Sequence, residues 1–509
     1  MIGPDEPFLL APPCPRRRGG SKGALVCGDG AGVGHWLRGP ESVNDTVVMS
    51  DVYDAVVIGT GQAGPPLAAR ASQEGLRVAV VERKLLGGTC VNSGCVPTKA
   101  LVASARAVQM ARRGAEFGFS IAGTPEVDMV RVKARMKGIS GASNARVARW
   151  LDQMDSVELV RGHAVLEGPN RVAVGDRVLQ TDRIFVNVGA RPRVPDFAGV
   201  ADVDFLTSTS ILELDEVPGH LVIVGGSYIG LEFAQIYRRL GADVTIIEQG
   251  PRVMGREDID VSDAVAGMLE AEGIRLRLDA ECVGFAPHAE GVSAGVVCDQ
   301  GPPEIVGTHL LLAVGRVPNT DDLGLEAAGV ATNQRGFITV DDQLRTNVDG
   351  IWALGDCNGL AAFTHTSYND YEIVAANLFD HDRRRVSDRI TCYGLFVDPP
   401  VGRAGMTEAE ARASGRNVLV ATRPMKHVGR AIEMSETEGF MKFLVDADSE
   451  EILGAVIFGV GGDEVVHALL DVMYAQASYR TISRAVHIHP TVAELVPTTL
   501  QGLRPLAAV

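Results

Sequence analysis

Cysteine is scarce in this chain, 8 residues in 509. Six of them, Cys14, Cys27, Cys282, Cys298, Cys357 and Cys392, are scattered without metal-ligand spacing. Such usage fits a reducing cytoplasm, where a close thiol pair is more often catalytic than structural. No apolar run approaches the roughly 18 residues that a membrane span needs, which excludes a membrane role. Positive charge is also short. Lys and Arg number 48 against 64 Asp and Glu, a net charge of −16. No basic cluster is long enough to follow a phosphate backbone, so nucleic acid is excluded as a partner. Residues 1–48 lack any strand or helix period and are expected to be a disordered extension, with Met49 as an alternative start. Arg16-Arg17-Arg18 suggests an export signal, but Gly19-Gly20-Ser21-Lys22-Gly23 stands where its apolar core should be.

What is present is 46% hydrophobic residues and 58 glycines, the composition of a soluble α/β protein of three or four domains. The strand Ala55-Val56-Val57-Ile58 runs into Gly59-Thr60-Gly61-Gln62-Ala63-Gly64, then a helical stretch, a second strand at Val78–Val81, and Glu82. This is a dinucleotide fingerprint. Its glycines let the backbone approach a pyrophosphate at a helix N-terminus, and the later carboxylate accepts ribose hydroxyls. Pro65 and Pro66 fit only the first turn of that helix. The unit recurs in Leu221-Val222-Ile223-Val224, Gly225-Gly226-Ser227-Tyr228-Ile229-Gly230, Val244–Ile247 and Glu248, with the same spacing from first glycine to acid. Ser227 replaces the middle glycine, which predicts a somewhat looser site. Ile184–Ala190, containing Gly189, and Leu310–Asn319, containing Gly315, read as the paired strands and turns that close each unit. Ile351–Asp356 is a short strand ending in Gly-Asp, and a helix is expected to start near Thr364-His365. From about residue 386 the pattern becomes strands, loops and two helices at roughly 404–414 and 463–478.

Between the two units lies Gly87-Gly88-Thr89-Cys90-Val91-Asn92-Ser93-Gly94-Cys95-Val96-Pro97-Thr98-Lys99. Five residues of ideal helix turn the chain through about 500° and raise it about 7.5 Å. A disulfide wants its Cα atoms within about 4.4–6.8 Å, so a bridge here demands a break in the helix. Gly87, Gly88 and Gly94 permit unusual φ values, and Pro97 has no N–H to give the Ser93 carbonyl. A redox disulfide is one reading; a structural disulfide, half of a zinc site or two unrelated buried thiols remain open at this point.

With the thiol pair, both fingerprints and the Gly-Asp strand together, the chain from about Asp51 to Leu503 resembles the flavoprotein disulfide reductases. This class I pyridine nucleotide-disulfide oxidoreductase family includes dihydrolipoamide dehydrogenase, glutathione reductase and mercuric reductase. The resemblance selects the redox reading of the pair. It implies an FAD-binding domain over 49–200 and 325–385, an NAD(P)-binding domain over 201–324, both Rossmann-like, and a C-terminal α+β dimerisation domain over 386–503. It implies that Gly59, Gly61, Gly64 and Glu82 hold the ADP half of FAD, and Asp356 its ribitol. The helix start at Thr364 and His365 would face the flavin, with His365 itself a simple cap. Ser227, Gly230 and Glu248 would hold the nicotinamide dinucleotide, with Tyr228 as the gate to its pocket, and Lys99 would pair with Glu232 beside the flavin. His489, in His489-Pro490-Thr491-Val492-Ala493-Glu494, would be the acid/base and Glu494 its orienting partner. His487 would be a neighbour only.

The implied activity is transfer of electrons from NADH through FAD to a Cys90–Cys95 disulfide and on to a small disulfide or a soft metal ion. Cys95 would become the charge-transfer thiolate and Cys90 the attacking one. No resident metal is expected, although a substrate ion could bind the Cys90/Cys95 thiolates. The chain lacks the terminal cysteine pair of familiar mercuric reductases, and Tyr228 stands where lipoamide dehydrogenases usually carry a small aliphatic residue. A mercuric-reductase-like branch is the closer fit, dihydrolipoyl dehydrogenase the alternative, and an idle flavoprotein redox sensor the reading from another class. Glu248 predicts NADH over NADPH, with Arg252 the one route to a 2′-phosphate. A cytoplasmic homodimer with active sites shared between subunits completes the expectation.

Overall fold

The computed structural model describes residues 50–298 and 301–507; the extension 1–48 and the alternative start at Met49 lie outside them. Ala55–Ile58 is 0–4% exposed along its whole length, the signature of a strand covered on both faces. It sits at the middle of a five-stranded parallel sheet ordered Ile351–Ala353, Ile184–Val186, Ala55–Ile58, Val78–Glu82, Val157–Arg161. The helix Gly64–Gln73 follows the central strand with Pro65 and Pro66 in its first turn. An antiparallel group, Ala164–Gly168, Arg171–Val174 and Arg177–Gln180, with Ser50–Val52 joined in parallel, packs beside it.

The second unit repeats the plan in smaller form. His220–Val224 lies between Asp243–Ile247 and His309–Leu312, with Arg275–Arg277 outermost, all parallel. An antiparallel meander, Glu281–His288, Gly291–Val297 and Glu304–Gly307, is inserted before the last parallel strand. The two sheets with their crossover helices are Rossmann-like, as the fingerprints imply.

The C-terminal part is a six-stranded antiparallel sheet ordered Cys392–Leu395, Val401–Gly405, Ile452–Phe458, Phe440–Asp446, Val418–Pro424, Arg504–Pro505. The helix Gly462–Tyr474 packs on it through Val466, Leu469 and Leu470. The expected helix at 404–414 is corrected here. Residues 401–405 form a strand and the helix is Glu408–Ala413, because Thr407 and Glu410 form a capping box that starts it there. Short helices Gly429–Glu433, Arg480–Ser483 and Leu495–Leu500 bring the total among the described residues above the expected two. No helix among them is long and apolar enough to cross a membrane.

Candidate active site

Both fingerprints become cradles in which a side chain has no room. Gly59 has φ +104, and a Cβ there would lie 2.3 Å from the Asn187 carbonyl oxygen; Gly225 has φ +112, with the Ala313 carbonyl at 2.5 Å. At Gly64 and Gly230 a Cβ would meet the carbonyl oxygen of the first glycine at 2.2 and 2.0 Å. These turns therefore fit the close approach of a pyrophosphate. The two acids are held alike. Glu82 accepts from the Thr60 N–H at 3.0 Å and the Lys84 N–H at 2.8 Å, and Glu248 from the Gly226 N–H at 2.6 Å and the Gly250 N–H at 2.8 Å. Both cradles open on one cavity of about 2440 Å³, more than twice the roughly 1,000 Å³ of a large single-ligand site. Gly61, Ser227, Gly189, Gly315 and Asp356 also line it. Asp356 lies 3.5 Å from the Arg316 guanidinium, and burial pushes its carboxyl up. The donors and space fit two dinucleotides.

The thiol segment breaks where its sequence requires. Gly87 and Gly88 take φ +93 and +63 to enter the short helix Gly88–Asn92, which carries Cys90. The chain leaves the helical region at Ser93 and Gly94, and an 18-residue helix starts at Cys95. Gly94 does not use a left-handed φ; a Cβ there would lie 2.9 Å from the Thr89 carbonyl. Both thiols are free, and their mutual interaction raises Cys90 and lowers Cys95 to about 6. The Thr364 hydroxyl, 3.0 Å from the Cys95 sulfur, and the Lys99 charge add to that lowering. The helix N-terminus favours the same anion.

Lys99, one turn beyond Cys95, donates to both oxygens of Glu232 at 2.9 and 2.7 Å. Glu232 also accepts from the Phe396 N–H at 3.0 Å, and the Lys99 ammonium sits 4.5 Å from the centre of the Phe396 ring. The pair thus ties the thiol helix to the helix Tyr228–Leu240 and to the C-terminal part. Thr364 opens the helix Thr364–Ala375 towards the cavity. His365 is not its cap. Its Nε2 meets the Cys392 carbonyl at 2.8 Å and its ring stacks on Phe363, so the residue pins the helix start to the strand Cys392–Leu395.

His489 is not brought to the thiols within the chain. Its Nδ1 lies 2.9 Å from Glu494, whose side chain is 17% exposed, while the imidazole is 81% exposed. Val486 and Ile488 beside it are 101% and 80% exposed, and none of these residues lines the cavity. The residues that sequence reasoning overlooked are Phe396 under Lys99 and Tyr393 beside Tyr228, both distant in the chain, and Thr60, whose hydroxyl donates to Glu82 at 2.6 Å and accepts from the Gly87 N–H at 3.1 Å. For Thr60, its place inside the fingerprint was the available signal.

Residues 53–372 match the family described as pyridine nucleotide-disulphide oxidoreductase, and residues 392–500 match its dimerisation domain. The chain is 34% identical to the probable pyridine nucleotide-disulfide oxidoreductase RclA of Escherichia coli (strain K12) over 87% of its length and 97% of the relative's. A dihydrolipoyl dehydrogenase of Thermus scotoductus is 34% identical over 87% and 95%, and a mercuric reductase of Streptomyces lividans 31% identical over 88% and 96%. The solved Cu(II) complex of the Escherichia coli HOCl-induced flavoprotein disulfide reductase RclA superposes with a TM-score of 0.81, covering 89% of this chain and 99% of that one. The chain therefore belongs to the class I pyridine nucleotide-disulfide oxidoreductases, flavoproteins that use FAD and NAD(P)H. It carries their dimerisation domain.

Proposed function

We propose that the protein transfers electrons from NADH through FAD to a Cys90–Cys95 disulfide, and from the resulting dithiol to a small disulfide or a soft metal ion. The observation that carries this reading is the placement of the thiol pair on the same cavity as both cradles, with Cys95 lowered to about 6. FAD held by Gly59, Gly61, Gly64 and Glu82 would supply two-electron transfer from NADH to the Cys90–Cys95 disulfide, whose S–S bond would open to the dithiol. Cys95 is the thiolate that Thr364, Lys99 and the helix N-terminus stabilise. Cys90, whose pKa is raised, needs a base, and the exposed His489 held by Glu494 supplies one from the partner subunit. Cys90 then attacks the substrate disulfide. One substrate thiol leaves with a proton from His489, and Cys95 displaces the other, re-forming the Cys90–Cys95 bond. For an ion, the two thiolates are soft ligands; that the relative RclA forms a Cu(II) complex supports a metal ion as one acceptor class.

Anaerobic titration with NADH should reduce the flavin and expose two new thiols per chain; flavin reduction with no new thiols would show that the dithiol chemistry is absent. A turnover screen of lipoamide, glutathione disulfide, Hg(II), Cu(II) and a quinone identifies the acceptor. Mixing Cys90→Ser with His489→Ala subunits tests the shared site. Random pairing makes about half the dimers mixed, each with one intact site, so roughly a quarter of wild-type activity should return. No recovery from demonstrated mixed dimers would place His489 in its own chain's site.

A further inference from the structure

Phe396 follows the edge strand Cys392–Leu395 of the C-terminal sheet. It belongs to the dimerisation domain, yet it lies against the thiol site of its own chain. Its neighbours Leu395 and Val397 are buried in one core with Leu101 of the thiol helix and with Leu231 and Phe233 of the helix Tyr228–Leu240. The backbone here is tied along that second helix at two points about one turn apart. The Phe396 N–H donates to Glu232 at 3.0 Å. The Asp398 N–H donates to the Gln235 side-chain oxygen at 2.7 Å, and the Gln235 amide returns to the Asp398 carbonyl at 3.0 Å. The ring rests against Gly394, where a Cβ would come within 3.2 Å of a ring carbon. It is thereby seated with the Lys99 ammonium 4.5 Å from its centre.

An ammonium can be held by a carboxylate, which cancels its charge, or by the face of a ring, which attracts a cation through its quadrupole and adds no net charge. Lys99 has both. Glu232 accepts from it at 2.9 and 2.7 Å, and the two charges act on Cys95 in opposite senses. The field that the pair leaves in the site therefore depends on where the ammonium stands. The Lys99 side chain is 34% exposed, and without the ring its charged end is free to lean into water. We propose that Phe396 is a positioning residue that clamps the Lys99 ammonium from the chain's own C-terminal domain, and so keeps a positive charge beside the electrons that pass from flavin to the thiol pair. The inference rests on the function proposed above, with FAD in the first cradle and its flavin beside Lys99. It gives the C-terminal domain a second part in the reaction, within its own chain through Phe396 and across the dimer through His489.

The test uses the FAD-loaded protein as Cys90→Ser, in which no Cys90–Cys95 disulfide forms and the flavin alone takes electrons. Equilibrated anaerobically with a fixed ratio of NADH to NAD⁺, it is read by absorbance for the ratio of reduced to oxidised flavin. A fixed ammonium favours the arriving electrons. Phe396→Leu keeps the bulk and the backbone N–H, and should lower that ratio roughly three- to tenfold, the size of one partly desolvated cation–ring contact. Phe396→Tyr keeps the ring face and should leave the ratio unchanged. Phenylalanines carrying one, two and three ring fluorines at this position, which drain the face while nearly keeping the shape, should lower it stepwise. In the Lys99→Met background none of these changes should matter. A merely structural Phe396 would lower the melting temperature and shift the ratio equally with or without Lys99. A flat fluorine series, or equal shifts in the two backgrounds, overturns the clamp. Should Phe396→Leu fail to fold, the fluorine series decides alone. A parent that holds no FAD, or holds it and is not reduced by NADH, would overturn the function proposed above together with the clamp, whereas normal reduction with a flat series overturns the clamp only.

Discussion

The two dinucleotide cradles share a backbone and differ in what lies over them. Each carries a glycine whose Cβ would strike a carbonyl and an acid held by the equivalent N–H groups. In the first, Thr60 and Gln62 are tied to Gly87 of the thiol loop, at 3.1 and 3.3 Å, and a Cβ on Gly88 would lie 2.7 Å from the Gly61 Cα. In the second, Gly226, Ser227 and Tyr228 occupy the equivalent positions, and the loop after the acid is tied to them through the backbone, the Met254 N–H donating to the Gly226 carbonyl at 2.9 Å. The backbone defines what both sites recognise, and the roof separates them. A cradle tied to the thiol loop through Thr60, Gln62 and the close Gly61–Gly88 contact suits a resident group, and one tied to its loop by a backbone bond at Gly226 suits a group that comes and goes.

Substitutions that break one cradle at a time should separate these roles. Gly59→Ala forces a Cβ into the Asn187 carbonyl at a positive φ, and the purified protein should contain no flavin and turn over nothing. Gly225→Ala should keep its flavin spectrum while the KM for NADH rises roughly a hundredfold; loss of flavin from this variant would show that the cradles are not independent. A pH titration examines the loop that roofs the first cradle. In Cys90→Ser, where a hydroxyl replaces the donor thiol, the Cys95 anion should persist above pH about 6. Its ultraviolet thiolate absorbance should fall about tenfold per unit below that value, because a lowered pKa keeps the anion at neutrality and loses it only as pH drops through the folded-state value. Thr364→Val should move the midpoint up. At the second cradle, Glu248→Ala tests the proposal that this carboxylate repels a 2′-phosphate. The preference for NADH, measured as kcat/KM over NADPH, should fall roughly tenfold, one lost charge contact being about 1.4 kcal/mol. The smallest change is expected from Ser227→Gly, which makes the second cradle more like the first and should tighten NADH by a few-fold without touching flavin content.

The strand, glycine turn and acid of each cradle were legible because they are continuous in sequence and each residue type serves one backbone need. The thiol pair was legible through its glycines and Pro97. Contacts that give the site its electrostatics were not, since Thr364 meets Cys95 and Phe396 meets Lys99 only through the fold. No local pattern distinguishes these residues from others of their kind. The first C-terminal helix was misplaced for another reason, whereas the second, expected at 463–478, is found at Gly462–Tyr474. Val401–Gly405 is short and buried, with no clear period, so its last residues, Ala404 and Gly405, were read into the following helix, although Thr407 and Glu410 already carried the signal for the start. His365 was assigned to a cap on its position alone, whereas its partner is a carbonyl on a strand that the sequence places elsewhere.

The strand order of the first sheet has a consequence in time. Its edge strand Ile351–Ala353 pairs with Ile184–Val186, and all of the second unit, from His220–Val224 to His309–Leu312, is encoded between them. During synthesis from the N-terminus, the inner module has its full set of parallel strands before the outer one can close. Until then Ile184–Val186 is an unpaired edge, the kind of surface on which nascent chains stick to one another. Asp356 follows that closing strand in the chain, so the first cradle is translated early and finished late.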